Sequence, residues 1–377
     1  MKILIFCPYY PPHIGGLESH ADEFNKYLSQ KGIGITVFTP RLPENAPEFE
    51  NRYNDVKIIR FPAFEIISNY PLPRFWAFKF WKLFLGLFRK KFDIVISRTR
   101  FFNTSILALI YAKIKKVKWI HIEHGSDFVQ LSSLFKTFVA KAYDHIFGRL
   151  IFKASDLNIS ISKAVQIFVT KFDKRESPVI YRGIDFEEID KINPDLELKE
   201  KYKNKIIISF CGRLYKWKGV ENSIQAIKLL PREIKEQLVF LIIGGGEDFE
   251  RLRKISDDTT VFTGSLPREK AISILKISDV YIHSSEPGGG LSTSLLEAMH
   301  CGCAVITTPH EGAREIIANN ENGLLIENSD SKLIAEKIED LVKNERLRKN
   351  ISIEARKNII EIFSWQKSLE KYFIYLK

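Results

Sequence analysis

The chain has 377 residues, 45% hydrophobic and 27% charged, and a formal net charge of +11. That length exceeds what one hydrophobic core usually serves, so two domains are expected, and the composition excludes a disordered or fibrous chain. No run of eighteen uncharged apolar residues occurs, so no transmembrane helix is expected, and the apolar start at Ile3–Cys7 is too short for a signal peptide.

The charge is uneven. Residues 1–190 carry a net +9 and residues 191–377 a net +2, which points to an anionic surface or substrate for the first half, or to a solvated basic face. The four cysteines, Cys7, Cys211, Cys301 and Cys303, lie on or beside apolar strand-like runs and make no metal-ligand spacing, so a reduced, cytoplasmic setting is expected.

In chain order, strand patterns near 2–7, 35–39, 57–61, 93–97, 119–123 and 157–160 alternate with helical patterns at 16–31, 74–91, 103–114, 134–152 and 163–171. A second strand series runs through 205–211, 238–243, 259–262, 279–283, 304–307 and 323–326. This alternation predicts parallel sheets covered by helices. The polar stretch Asp185–Lys203 reads as the linker. We therefore expect an α/β chain of two Rossmann-like domains, residues 1–185 and 186–364.

Ligands bind such folds at the carboxyl edge of the sheet, so the residues following each strand carry the candidates. Strand 2–7 leads to Pro11-Pro12-His13-Ile14-Gly15-Gly16, where the glycine pair frees N–H groups at a helix start; the alternative is an ordinary tight turn. Strand 119–123 leads to His124-Gly125, with His121 on the same strand as the competing histidine. Strand 205–211 ends in Cys211-Gly212-Arg213-Leu214-Tyr215-Lys216-Trp217-Lys218-Gly219, and two cations there would neutralise a diphosphate. Strand 238–243 is followed by Gly244, Gly245 and Gly246, which lack dinucleotide-fingerprint spacing, and strand 259–262 by Gly264-Ser265-Leu266. The densest stretch follows strand 279–283. Glu286, the triple glycine ending at Gly290, and then Leu291, Ser292 and Thr293 lead into an amphipathic helix bearing Glu297, whose start favours phosphate and whose carboxylate can accept from sugar hydroxyls.

Segment 70–92 is crowded with aromatics and carries Lys79, Lys82, Arg89, Lys90 and Lys91. That mixture suits the headgroup region of an anionic membrane; the alternative is a helix packed in the core of the first domain.

The run Glu297-Ala298-Met299-His300-Cys301-Gly302-Cys303-Ala304-Val305-Ile306-Thr307, with the Gly-Arg and Lys-Gly pairs at 212–213 and 218–219, resembles glycosyltransferase family 4, the retaining nucleotide-sugar enzymes of GT-B fold. The resemblance covers nearly the whole chain and implies two facing Rossmann-like domains with an interdomain cleft. It departs at two points. The hallmark's first Glu, eight positions before Glu297, is Gly289 here, so either Glu286 reaches in or backbone N–H groups serve alone. The linker run Tyr181-Arg182-Gly183-Ile184-Asp185 departs too, with Arg182 where the family often has Asn.

The resemblance implies roles for these residues. Arg213 and Lys218 would hold the nucleotide diphosphate, aided by the helix start at Gly290, Leu291, Ser292 and Thr293. Gly244, Gly246 and Leu266 would border the base, Gly15 and Gly16 would lie near the diphosphate and acceptor, and His124 would hydrogen-bond the transferred sugar. Residues 365–377 would return to an acceptor-side first domain.

The implied activity is transfer of a hexose from a UDP- or GDP-sugar to a hydroxyl of a lipid-linked or polysaccharide acceptor, with retention. No metal or other cofactor is expected, since no Asp-x-Asp pair is present. The expected location is cytoplasmic, peripheral on the inner face of the membrane through 70–92, with no nucleic-acid partner. Two alternatives remain open: a nucleotide-sugar epimerase of the same fold, and a basic nucleic-acid-binding protein. A nicotinamide-dependent oxidoreductase is disfavoured, because strand 35–39 ends in Thr39-Pro40-Arg41 with no acidic residue for a ribose.

Overall fold

The computed structural model describes residues 1–13, 15–67, 70–128, 134–286, 291–310 and 312–377. The chain divides into two compact units, Met1–Gly183 with Trp365–Lys377, and Ile184–Ser364.

The first unit holds β1 (Lys2–Phe6), β2 (Gly34–Pro40), β3 (Phe49–Arg52), β4 (Val56–Phe61), β5 (Ala63–Ile67), β6 (Tyr70–Pro73), β7 (Ile94–Arg98), β8 (Lys118–Glu123) and β9 (Leu157–Ser160). Seven of them form one sheet in the order β3-β4-β2-β1-β7-β8-β9, and β5 pairs with β6 in a separate hairpin. All neighbours in the sheet are parallel except β3, which runs antiparallel to β4. The near-continuous apolar runs of β1 and β7 suit strands covered on both faces, and every residue of each except Lys2 is buried. One covering layer is unusually aromatic. Phe6 meets Phe38 and Phe84 edge to face, and the helix Phe78–Leu87 turns Phe80, Phe84 and Leu87 into the same cluster.

That helix is shorter than the sequence pattern of 74–91. Pro71 and Pro73 hold 70–73 extended as β6, and a turn closed by Ala77 N–H on Arg74 O precedes the helix. Strand β3 and the β5–β6 hairpin had no separate signal in the sequence pattern.

The second unit holds β10 (Ile206–Cys211), β11 (Leu238–Ile243), β12 (Thr260–Gly264), β13 (Val280–His283), β14 (Ala304–Thr307) and β15 (Leu324–Leu325). They form one parallel sheet in the order β12-β11-β10-β13-β14-β15. Ile208, Phe210, Phe240, Ile242, Ile282 and Ile306 meet Ile224, Ile338 and Leu341 of the covering helices in one core.

Strand order fixes where each sheet offers a crevice. Successive connections leave β1 toward β2 on one side and arrive at β7 on the other, and β10 stands likewise between β11 and β13. At such a switch point two neighbouring loops leave in opposite directions, which opens space above the carboxyl ends of the strands. In the second unit the loops at that place are those after β10 and β13; in the first, those after β1 and β7.

Candidate functional site

The second unit brings most of the sequence candidates to one edge. Arg213 and Lys218 lie half-buried on the loop after β10, Gly244 and Gly246 on the loop after β11, and Leu266 just after β12. Glu286 follows β13, and Leu291, Ser292 and Thr293 open the helix Thr293–His300. Gly289 and Gly290 lie outside the described residues.

Backbone contacts sew these loops together. Leu214 N–H donates to Gly245 O at 2.9 Å, Gly244 N–H to Gly264 O at 3.0 Å, and Glu286 N–H to Trp217 O at 2.7 Å. Ser284 Oγ donates to Gly219 O at 2.9 Å. Such close approach needs glycine at two places. A Cβ on Gly219, whose φ is +64°, would lie 2.0 Å from Ser284 O, and one on Gly244 would lie 1.9 Å from Gly212 O. The glycines noted in the sequence therefore hold one loop against the next.

Lys218 is oriented by its neighbour, with Nζ 4.3 Å from the centroid of the Trp217 ring. The helix Thr293–His300 begins at Ser292, whose hydroxyl makes no cap bond to the backbone. Two half-buried cations and a helix start on one sheet edge are suited to an anion with several oxygens.

The two glutamates are differently placed. Glu297 is buried, and its Oε1 accepts from Arg268 Nε at 2.9 Å; Arg268 Nη1 also lies 3.5 Å from Glu188 Oε2. Its Oε2 has no protein partner among the described residues. Glu286 Oε1 accepts from Ser329 Oγ, which in turn accepts from Asn222 Nδ2 at 3.0 Å. Burial, reinforced by Glu297, pushes the Cys211 and Cys301 thiols up to about 12, so neither is a ready nucleophile. Among the described residues no group of three or more His, Cys, Asp or Glu could hold a metal ion.

In the first unit the predicted residues meet partners from several elements. Gly16 starts the helix Gly16–Gln30, and Arg182 Nη1 donates to its carbonyl at 3.3 Å. His121 is fully buried, with Nδ1 2.8 Å from Ser97 Oγ and Nε2 3.2 Å from Glu123 Oε2, which gives it a place in the core. His124 lies just past the end of β8, half-buried, with its Nε2 3.5 Å from Arg98. Glu123 holds the backbone around it. Its Oε1 accepts from the N–H groups of His124 at 2.9 Å and Gly125 at 2.7 Å and from Arg100 at 3.1 Å. Arg100 also donates to Asp144 at 2.9 Å and to Asp127 O.

Arg98, Arg100, His20 and Arg268 are the residues that sequence reasoning missed. A usable signal existed for the first two, since Ser97-Arg98-Thr99-Arg100 puts two arginines at the carboxyl end of an otherwise apolar strand.

Comparison with known proteins now bears on this geometry. A family model described as Glycosyltransferase Family 4 matches residues 14–188, and one described as Glycosyl transferases group 1 matches 193–358. An uncharacterized glycosyltransferase of Methanocaldococcus jannaschii is 48% identical over 381 residues, covering 99% of this chain and 97% of that protein. The chain belongs to glycosyltransferase family 4. This glycosyltransferase has the GT-B fold. It is similar to a sucrose-phosphate synthase of Thermosynechococcus elongatus, with a TM-score of 0.80 at 18% identity over 99% of this chain and 98% of the other. It is also similar to Anabaena HepE, solved in complex with UDP-glucose, with a TM-score of 0.74 at 18% identity over 100% of this chain and 99% of the other.

Proposed function

We propose that this glycosyltransferase moves a hexose from a UDP- or GDP-sugar to a hydroxyl of a lipid-linked or polysaccharide acceptor, with retention and without a metal ion. The observation that carries the reading is the meeting of Arg213, Lys218 and the start of the helix Thr293–His300 on one sheet edge. A diphosphate leaving group develops negative charge as the bond from the sugar's anomeric carbon to its oxygen breaks. Cations fixed beforehand stabilise that charge without reorganising, which is the service a metal ion gives elsewhere. The acceptor oxygen bonds to the anomeric carbon on the same face, and its proton passes to the departing phosphate oxygen. Glu297 serves donor hydroxyls through Oε2 while Arg268 holds Oε1.

The first unit supports the acceptor part of the reading. On the helix Phe78–Leu87 the side opposite the core carries Phe78, 82% exposed, with Trp81, Lys82 and Leu85, and Trp76 beside it is 73% exposed. Arg89, Lys90 and Lys91 follow, all exposed. Among the described residues no helix is long and apolar enough to cross a membrane. An exposed apolar patch rimmed by cations fits a reversible hold on an anionic leaflet, where a lipid-linked acceptor is met in plane.

Proton NMR of the product tests the chemistry. Retention gives an anomeric proton whose coupling matches that of the donor, and an inverted product would overturn the mechanism.

A further inference from the structure

Arg98 ends β7 and is wholly buried, yet among the described residues it has no carboxylate partner. Among those residues its Nε and Nη2 find no hydrogen-bond acceptor, and the guanidinium lies over the Phe24 ring, 4.8 Å from the centroid. Nη1 does have neighbours, Nδ1 of His20 at 3.2 Å and Nε2 of His124 at 3.5 Å. The two imidazoles stand edge to face, 5.1 Å apart. A guanidinium carries only N–H donors and does not deprotonate in proteins. Any ring nitrogen turned toward it must therefore present a lone pair. His20 then carries its proton on Nε2, and His124 carries its own on Nδ1.

We propose that Arg98 is a positioning residue that fixes His124 in the Nδ1–H form, so that His124 meets the sugar as a neutral hydrogen-bond donor and does not act as a base. With its Nε2 lone pair facing a cation, this imidazole cannot readily take up a proton on that nitrogen. The consequence for transfer rests on the glycosyltransferase reading of His124; the tautomer does not.

The surroundings bear this out from each side. Glu123, the acid next in sequence, accepts through Oε1 from backbone N–H groups and Arg100, and through Oε2 from the Arg100 N–H and His121. Its oxygens hold the loop backbone and do not bond the His124 ring. Arg182, the other nearby cation, is turned to Gly16 O and Glu23. Behind His20 the Trp365 ring stacks at 5.4 Å, its indole N–H donating to Glu23. Around Arg98, burial pushes Cys7 and Tyr372 up to about 12 and Tyr10 well above its ordinary value, so none of the three balances the cation at neutral pH. Burial first, then Arg98, holds both His20 and His124 well below the ordinary imidazole range; Arg182 adds to this at both, and Glu123 opposes it at His124.

The test is a long-range 1H–15N correlation spectrum of protein labelled at histidine, titrated between about pH 5 and 8, with His20→Gln and His124→Gln assigning the signals. We expect His124 to stay singly protonated on Nδ1 and His20 on Nε2 throughout. In Arg98→Met, His124 should populate both tautomers and titrate at a higher pH than in wild type, though still below the ordinary imidazole range because its burial remains, giving kcat a pH dependence that wild type lacks. Arg98→Lys, which keeps the cation, should restore the neutral form. An imidazolium signal from His124 at pH 6, or an Nε2–H tautomer in wild type, overturns the proposal, as do unchanged His124 spectra in Arg98→Met. If Arg98→Met does not fold, the wild-type tautomer decides alone. Absence of sugar transfer alongside the expected tautomers would sink the transfer reading and leave the assignment of Arg98 standing.

Discussion

Arg268 Nε donates to Glu297 Oε1 at 2.9 Å, so the glutamate at the centre of the family signature is held by a cation from the neighbouring helix. With Oε1 engaged, Oε2 is the oxygen left for a ligand. A hydrogen bond to a charged group contributes about 1.5–3 kcal/mol. Glu297→Ala should therefore weaken nucleotide-sugar binding by roughly 10- to 100-fold, with a smaller loss in Arg268→Gln, where the carboxylate persists but is no longer oriented. Calorimetric titration with the donor checks this. Equal losses in the two variants, or none in Glu297→Ala, would make the pair a structural tie only.

Gly219 and Ser284 set the spacing between the loops after β10 and β13. A side chain at Gly219 meets Ser284 O at 2.0 Å and needs a backbone conformation that costs a non-glycine residue about 1–3 kcal/mol. Gly219→Ala should lower the melting temperature and reduce donor affinity together, because Lys218 is its neighbour. Thermal unfolding with and without nucleoside diphosphate measures both. An unchanged melting temperature would mean that the loop gives way freely.

Much of the fold was legible in the sequence because buried parallel strands are short, apolar and evenly spaced. The patterns at 2–7, 119–123 and 238–243 coincide with β1, β8 and β11 to within a residue. What lacked a signal was local and polar. Strand β3, Phe49-Glu50-Asn51-Arg52, exists because β4 offers it a partner edge, and no apolar run marks it. At the site, loop glycines and cations could be read because chemistry demands those residue types next to strand ends. His20 and Arg268 could not, and the arginine pair at 98 and 100 was visible without its partners, since these meanings come from which elements the fold makes neighbours.

Acid should weaken the first unit through Glu123. Burial alone would raise this carboxyl, but Arg100, His121 and the Gly125 N–H outweigh it and hold it down to about 2. A carboxyl depressed on folding adds stability above its unfolded value, and that stability is lost as pH falls through the folded value. The window is therefore from about pH 4.5 down to about 2, and the amount is about 3 kcal/mol. Asp144, raised by burial, works in the opposite sense, so the comparison with Glu123→Gln isolates Glu123. Urea unfolding across this range should show a steeper acid loss in wild type than in the variant. Parallel curves would contradict the assignment.

Vesicle sedimentation tests the aromatic helix. Each cation near an anionic surface adds about 1 kcal/mol. The protein should sediment with vesicles containing anionic lipid, less so at high salt, and less again with Lys82, Arg89, Lys90 and Lys91 changed to Gln or with Trp76 and Phe78 changed to Ser. Equal sedimentation with neutral vesicles, or indifference to these changes, would favour a soluble acceptor.

Release of nucleoside diphosphate from a panel of UDP- and GDP-sugars, in excess EDTA, reaches furthest into the mechanism. Wild type should turn over at least one donor under these conditions, and Arg213→Ala and Lys218→Ala should each lower that rate by roughly 10²–10³, as expected when a preorganised charge is removed from a developing phosphate. Near-normal rates in both folded variants, or activity that returns only with Mg²⁺ or Mn²⁺, would contradict a metal-free site built from these two cations.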